Sequence, residues 1–372
     1  MLLNRTKRYL ISKPIILKMP HVDIHSHLYP PEYIELLETR SEIPYVKKFP
    51  HVDLPCLCNR PYSPASGSLP GRPLTDHYYS VKAKIAFMDT HGIDISVLSM
   101  GNPWLDFLEP STAGQIAASM NQAMNSLCQA YQQRLYFFAV LPLSATDDDS
   151  TTIITEIQHI TTLPQARGVV MGTNGLGEGL DDPRLLPIWR ALAAANLPVF
   201  IHPNYGLPDS VWGGNHKSSQ ILPLSIGFTT ETTIAITRMF LAGVFDKIPN
   251  LQLILSHSGG TLPFLAGRIE ACIAHDKKRA MNDEPRVSLW EVLRKNLYLD
   301  GVIFDKIGLR TAIEASGIDR VMFGTDHPFF APVKEMSLWP AMTLNRDAAR
   351  ELLNDEEFEK VMGGNAQKVL HL

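Results

Sequence analysis

His25 and His27 stand one residue apart at the end of the short apolar run Val22-Asp-Ile24. In an extended strand, residues i and i+2 point to the same side, so both imidazoles can reach one ion. Zinc and manganese both accept such nitrogens, zinc at about 2.0–2.1 Å. Taken alone, a His-x-His pair is equally well two surface histidines leaving a strand. Other apolar runs of the chain end the same way: Pro198–His202 in His202, Leu251–His257 in His257, Leu297–Asp300 in Asp300, and Val321–Asp326 in Asp326 followed by His327. Histidine and aspartate inside apolar strands require partners. One could be a satisfied core residue. Several at the same end of successive strands describe a metal centre.

The elements that must position these residues follow from periodicity. Short apolar or β-branched runs at Val22–His25, Ile95–Ser99, Leu135–Val140, Gly168–Met171, Pro198–His202, Leu251–His257, Leu297–Asp300 and Val321–Asp326 predict strands. Helical patterns intervene, among them Gly114–Arg134, Leu185–Asn196, Glu231–Phe245, Leu262–Ile273 and Lys306–Ala315. About eight alternating units predict a parallel sheet closed as a (β/α)8 TIM barrel, an α/β fold. An open doubly wound sheet would need a switch point, and the chain has no Gly-rich nucleotide turn. Residues 1–18 form an expected flexible extension, and 19–372 a single barrel domain. The interval 41–75, after the first strand, is rich in proline and glycine with little periodicity, so it is expected to be an insertion loop. On the C-terminal face of a barrel such a loop would be a lid or pocket wall, or else a plain surface insertion.

Composition narrows the partners. The chain has 372 residues, 45% hydrophobic and 19% charged, with 34 basic and 38 acidic side chains for a net charge of −4. No basic field points to nucleic acid, and no apolar run is long enough to span a membrane. The four cysteines are too few and scattered for a disulfide framework, which fits a reducing compartment. Basic residues without acids before Met19 are also compatible with a transit segment, but the stretch is short and poor in serine, so a cytoplasmic location is the expectation.

The motifs Val22-Asp-Ile-His25-Ser-His27, Phe200-Ile-His202-Pro, Ser256-His257-Ser-Gly-Gly260 and Met322-Phe-Gly-Thr-Asp326-His-Pro resemble the amidohydrolase superfamily, in its branch of decarboxylases typified by aminocarboxymuconate semialdehyde decarboxylase. The resemblance implies one divalent metal, usually zinc with manganese as the alternative, held by His25, His27, His202 and Asp326. Binuclear members use a carboxylated lysine after the fourth strand. Here that strand runs into Met171-Gly-Thr173, so one metal is expected. Leu28-Tyr-Pro-Pro-Glu-Tyr33, Leu69-Pro-Gly-Arg72, Asn102-Pro-Trp-Leu-Asp-Phe107 and His327-Pro-Phe-Phe330 are similar to the fungal isoorotate (uracil-5-carboxylate) decarboxylases. That likeness runs from about Val22 to the C-terminus and implies a pyrimidine-salvage activity releasing CO2 and uracil.

The chemistry suits these residues. Decarboxylation at an sp2 ring carbon leaves charge with nowhere to go unless C5 is first protonated. Asp326 and His257 are joint candidates for that acid, the resemblance favouring Asp326, and Asp300 is expected to orient or charge His257. Arg72 can meet the substrate's anionic or carbonyl edge, Asn102 an N–H/C=O edge, and Phe329 the ring face. By resemblance Arg268 enters a neighbouring subunit's site, implying a homodimer or higher homo-oligomer. Each of these four also has an ordinary surface or packing reading. The substrate expected is a small, planar anion. Decarboxylation of a salicylate- or resorcylate-type acid, metal-assisted hydrolysis, and a non-catalytic binding role remain the alternatives.

Overall fold

In the computed structural model, residues 19–60, 69–145, 150–204, 206–212, 220–276, 286–333 and 336–372 are described. The expected extension, residues 1–18, lies outside them. Strands β1 (Val22–His27), β5 (Ile95–Ser99), β6 (Leu135–Ala139), β7 (Ala166–Gly172), β8 (Val199–His202), β9 (Leu253–Leu255), β10 (Leu297–Asp300) and β11 (Val321–Met322) form one eight-stranded sheet in that order. All neighbours are parallel. The sheet closes where Ile24 N donates to Phe323 O at 3.1 Å and Ser26 bridges His327, giving the expected (β/α)8 barrel.

Alternation along the strands sorts the core. Val97, Phe138, Val170, Phe200, Ile254 and Met322 belong to one buried cluster, their strand neighbours Leu98, Phe137, Val169, Ile201, Leu255 and Val321 to another. His202 and Asp300 share the face of Phe200 and Tyr298 by the two-residue period, and so point into the barrel. A register shift between Asp23 and Ser26 changes the phase of β1, so that Ile24 and, beyond it, His25 and His27 all serve the interior.

Three expectations need correction. The described part of the interval 41–75 is not wholly irregular: β2 (Tyr45–Lys47), β3 (Cys56–Cys58) and β4 (Arg72–Pro73) pair antiparallel as a small sheet. Strands this short carry too few residues to show a period. The sixth barrel strand ends at Leu255, and His257 stands in a 3-10 turn with φ +52°. The eighth is confined to Val321–Met322, and Asp326 lies beyond it at φ +58°. The four cysteines are unpaired. Among the described residues, no helix is long and apolar enough to cross a membrane.

Candidate active site

The strand ends bring His25, His27, His202 and Asp326 into one buried group whose ligand atoms all lie within 4.8 Å of one another. His25 Nε2 is 3.1 Å from His27 Nε2, and Asp326 Oδ1 is 3.2 Å from each of these nitrogens. Each histidine is held through its other nitrogen. Asp300 Oδ2 accepts from His25 Nδ1 at 2.6 Å, the Pro203 carbonyl from His202 Nδ1 at 2.8 Å, and Ser99 Oγ lies 3.1 Å from His27 Nδ1. A ring whose Nδ1–H is donated away presents an Nε2 lone pair, which is the form a metal takes.

The turn that delivers Asp326 is close-fitted. A Cβ on Gly324 would lie 2.8 Å from His25 Cβ, so only glycine lets the chain pass this near the first strand. Asp326 then adopts a left-handed backbone, which costs a non-glycine residue roughly 1–3 kcal/mol and persists where the surroundings impose it. Here Asp326 N donates to His25 O at 2.7 Å, and Phe329 N to Asp326 O at 2.8 Å.

The electrostatics call for a cation. Burial alone would lower His25, but the charges and hydrogen bonds of Asp326 and Asp300 outweigh it and push it up to about 10. Burial alone would raise Asp326, yet His25, with hydrogen bonds from His257 and His27, holds it well below the usual carboxylate range. Burial brings His27 down to about 4 and, with the neighbouring histidines, holds His202 well below its ordinary value. A proton on His25 thus occupies the place of a positive ion. Three imidazoles and one carboxylate suit one zinc or manganese ion. At pH 7 metal uptake must expel that proton, so about one proton should be released per ion bound. Affinity should then rise about tenfold per pH unit between the value of about 4 for His27 and about 10 for His25. The stability that His25 lends the metal-free fold runs oppositely, full below its ordinary 6.5 and fading as pH climbs through about 10. Calorimetry in buffers of different ionisation enthalpy counts the protons, and a count of zero refutes the assignment.

The remaining residues fall in two groups. His257 Nε2 lies 3.7 Å from Asp326 Oδ2, while Asp326 Oδ1 faces the two histidines of β1. The carboxylate thus has one oxygen toward the cluster and one toward His257. Asp300 departs from expectation: its carboxylate meets the ring of His25, and it reaches His257 through that residue's backbone N–H at 3.0 Å. Phe329 packs edge-on to His27 with centroids 5.5 Å apart, and the Arg72 guanidinium lies 4.7 Å over the Phe329 ring. Arg72 also donates to Tyr29 Oη at 3.1 Å, and Tyr29 donates to the Asn102 carbonyl at 2.9 Å. The Asn102 amide donates to Asn204 O, so its Nδ2–H is already engaged by the main chain. Arg268 is not brought here. It is exposed on the outer helix Leu262–His275, in a groove with Thr237, Leu241 and Asp276.

Sequence reasoning missed Tyr29 and Glu231. Tyr29 continues the i, i+2 series of His25 and His27, a signal that was available. Glu231 accepts from Asn204 N at 2.6 Å, Gly206 N at 2.5 Å and Thr173 Oγ1, fixing the segment after His202. Nothing local marks it.

A family model described as amidohydrolase matches residues 22–372. The crystal structure of an IDCase from Metarhizium anisopliae in apo form is similar at 48% identity and a TM-score of 0.89, covering 95% of this chain and 97% of that one. A 2-amino-3-carboxymuconate-6-semialdehyde decarboxylase of Dictyostelium discoideum is 27% identical over 358 residues, 94% of this chain and 91% of the relative. A dihydroxybenzoic acid decarboxylase from a Polaromonas species, solved with manganese and 2-nitroresorcinol, shares the fold at 22% identity and a TM-score of 0.71, covering 95% and 97% of the two chains.

Proposed function

The chain belongs to the amidohydrolase family, and on that premise we propose that it is a metal-dependent carboxy-lyase converting uracil-5-carboxylate to uracil and CO2. The observation that carries this reading is the divided carboxylate of Asp326, with Oδ1 on the histidine cluster and Oδ2 on His257. The 48% identity to the IDCase, an isoorotate decarboxylase, supports the pyrimidine substrate. Relatives named as decarboxylases support the reaction class.

A divalent ion held by His25, His27, His202 and Asp326 would supply Lewis acidity and positive charge for the anionic substrate. The pair His257 Nε2 and Asp326 Oδ2 is the proton source for C5. Once C5 carries that proton, its carboxylate is β to the C4 carbonyl. The C5–carboxylate bond breaks, CO2 leaves, its electrons return to the ring, and the proton remains on C5 of uracil. Phe329 offers a ring face, and Arg72 positive charge for the anion. Zinc is the ion proposed, manganese its alternative given the Polaromonas relative. Pyrimidine salvage in the cytoplasm is the proposed setting.

The test is CO2 release by metal-loaded protein from uracil-5-carboxylate and from 2,6-dihydroxybenzoate. Turnover of the pyrimidine is expected. Turnover of the benzoate alone would replace the substrate while keeping the reaction, and hydrolysis without CO2 would overturn both.

Arg268 is exposed on the helix Leu262–His275, and its proposed role is in a neighbouring copy's site within a homodimer. Mixing Arg268→Ala subunits with Asp326→Asn subunits should then restore activity to sites built from the intact halves. Activity that merely follows the number of protomers with intact Asp326, with no loss for Arg268→Ala alone, sinks the shared site.

A further inference from the structure

The helix Val81–His91 buries Lys84, Phe87, Met88 and His91, the i, i+3, i+4, i+7 stripe of an amphipathic helix with a lysine in it. The Lys84 side chain is wholly buried. An ammonium is costly to bury unless its three donors are satisfied. Lys84 Nζ donates to Ser26 Oγ at 2.6 Å, to His327 Nδ1 at 2.5 Å and to His327 O at 3.4 Å. Ser26 is the residue between His25 and His27. His327 is the residue after Asp326. All three hydrogen bonds of one buried amine thus converge on the two chain segments that carry three of the four candidate ligands.

These segments meet where the barrel closes. The ladder of β11 stops at Met322, and beyond it the seam includes Ile24 N donating to Phe323 O at 3.1 Å, Asp326 N to His25 O at 2.7 Å, Thr325 N to Asp23 Oδ1 at 3.0 Å, His27 N to His327 O at 2.7 Å and the Ser26–His327 bridge. The His327 ring is stacked on Phe87 with centroids 3.8 Å apart and lies 4.4 Å from the Trp339 ring. Its Nε2 is buried without a hydrogen-bond partner, so Lys84 is what orients its polar edge. A methionine would fill the same helix face at no electrostatic cost. The fold instead places a hydrogen-bonding amine there.

We infer that Lys84 is a positioning residue for the metal ligands, tying the His25-Ser-His27 segment to the Asp326-His327 turn from behind the site. This rests on the metal part of the reading above and on no particular substrate. The experiment measures the melting temperature of full-length protein with and without Mn2+, and Mn2+ affinity by equilibrium dialysis, for the parent and Lys84→Met. The variant should lose at least about tenfold in Mn2+ affinity, so that the rise in melting temperature on adding Mn2+ shrinks relative to the parent. Equal falls of both melting temperatures, with Mn2+ affinity within about twofold of the parent, would make Lys84 a fold staple only and overturn the inference. Should Lys84→Met fail to fold, Ser26→Ala removes one acceptor and leaves the amine in place. It should weaken Mn2+ binding about threefold, and unchanged affinity there overturns the inference equally. A parent that takes up neither Mn2+ nor Zn2+ would instead refute the metal reading itself.

Discussion

Asp326→Asn is expected to abolish CO2 release while leaving the barrel folded. The substitution keeps the shape of the side chain but removes the one anionic member of the ligand group. An amide oxygen at the Oδ1 position is a weaker ligand than a carboxylate oxygen, and an amide NH2 there would oppose the metal outright. At the Oδ2 position, 3.7 Å from His257, an amide can neither take nor give the proton that C5 requires. Both losses fall on the same residue, so turnover should drop by at least on the order of 10³-fold even at saturating metal. Metal analysis separates the two contributions, since a variant loaded with metal and still inactive isolates the proton role. Activity within about tenfold of the parent at full metal occupancy would remove Asp326 from the mechanism.

The second large effect is expected at Asp300, which never touches the substrate. Its Oδ1 accepts from Ser258 N at 2.8 Å and Val302 N at 3.1 Å, and its Oδ2 from His257 N at 3.0 Å as well as His25 Nδ1 at 2.6 Å. Every direction around this wholly buried carboxylate supplies a donor. In Asp300→Asn the amide NH2 must therefore face donors. Where it faces His25, the ring escapes the clash by moving its proton to Nε2, and that nitrogen loses the lone pair the metal needs. Metal affinity should fall by about 10–100-fold, with turnover following until metal is added in excess. The turn that carries His257 should also loosen, because two of the opposed donors belong to His257 and Ser258. Metal titration of the variant checks this. Parent-like affinity would mean that His25 keeps its tautomer without help from Asp300.

The two expectations locate the site's cost and its purpose together. Removing one partner of a buried charged cluster is worth several kcal/mol, commonly about 3–5, because the others are left uncompensated. The cluster of His25, Asp300 and Asp326 is tolerable in a barrel core because each charge is answered by the next.

Much of this was legible in the chain because it is local. Alternation in a strand is a property of neighbouring residues, so Phe200 and His202, or Tyr298 and Asp300, declare their shared face without any knowledge of the fold. The run of eight such strands, five of them ending in or near a histidine or aspartate, was enough to close the barrel and to bring His25, His27, His202 and Asp326 to one end of it. What needed the tertiary structure is whatever depends on register and tilt between strands. Asp300 is the last residue of β10, and which imidazole it meets is decided by where that strand end lies relative to β1 in the closed barrel, which placed it against the ring of His25. The sheet of Tyr45–Lys47, Cys56–Cys58 and Arg72–Pro73 has strands of two or three residues, too short to carry a period. Its pairing alone sets Arg72 over Phe329. Lys84 went unread in the sequence; its place came from barrel closure, which put Ser26 and His327 side by side around its amine. Residue type and spacing determined which chemistry the chain can hold; the closure of the barrel decided which atoms face one another, because hydrogen bonds and charges act over a few ångströms that no linear spacing specifies.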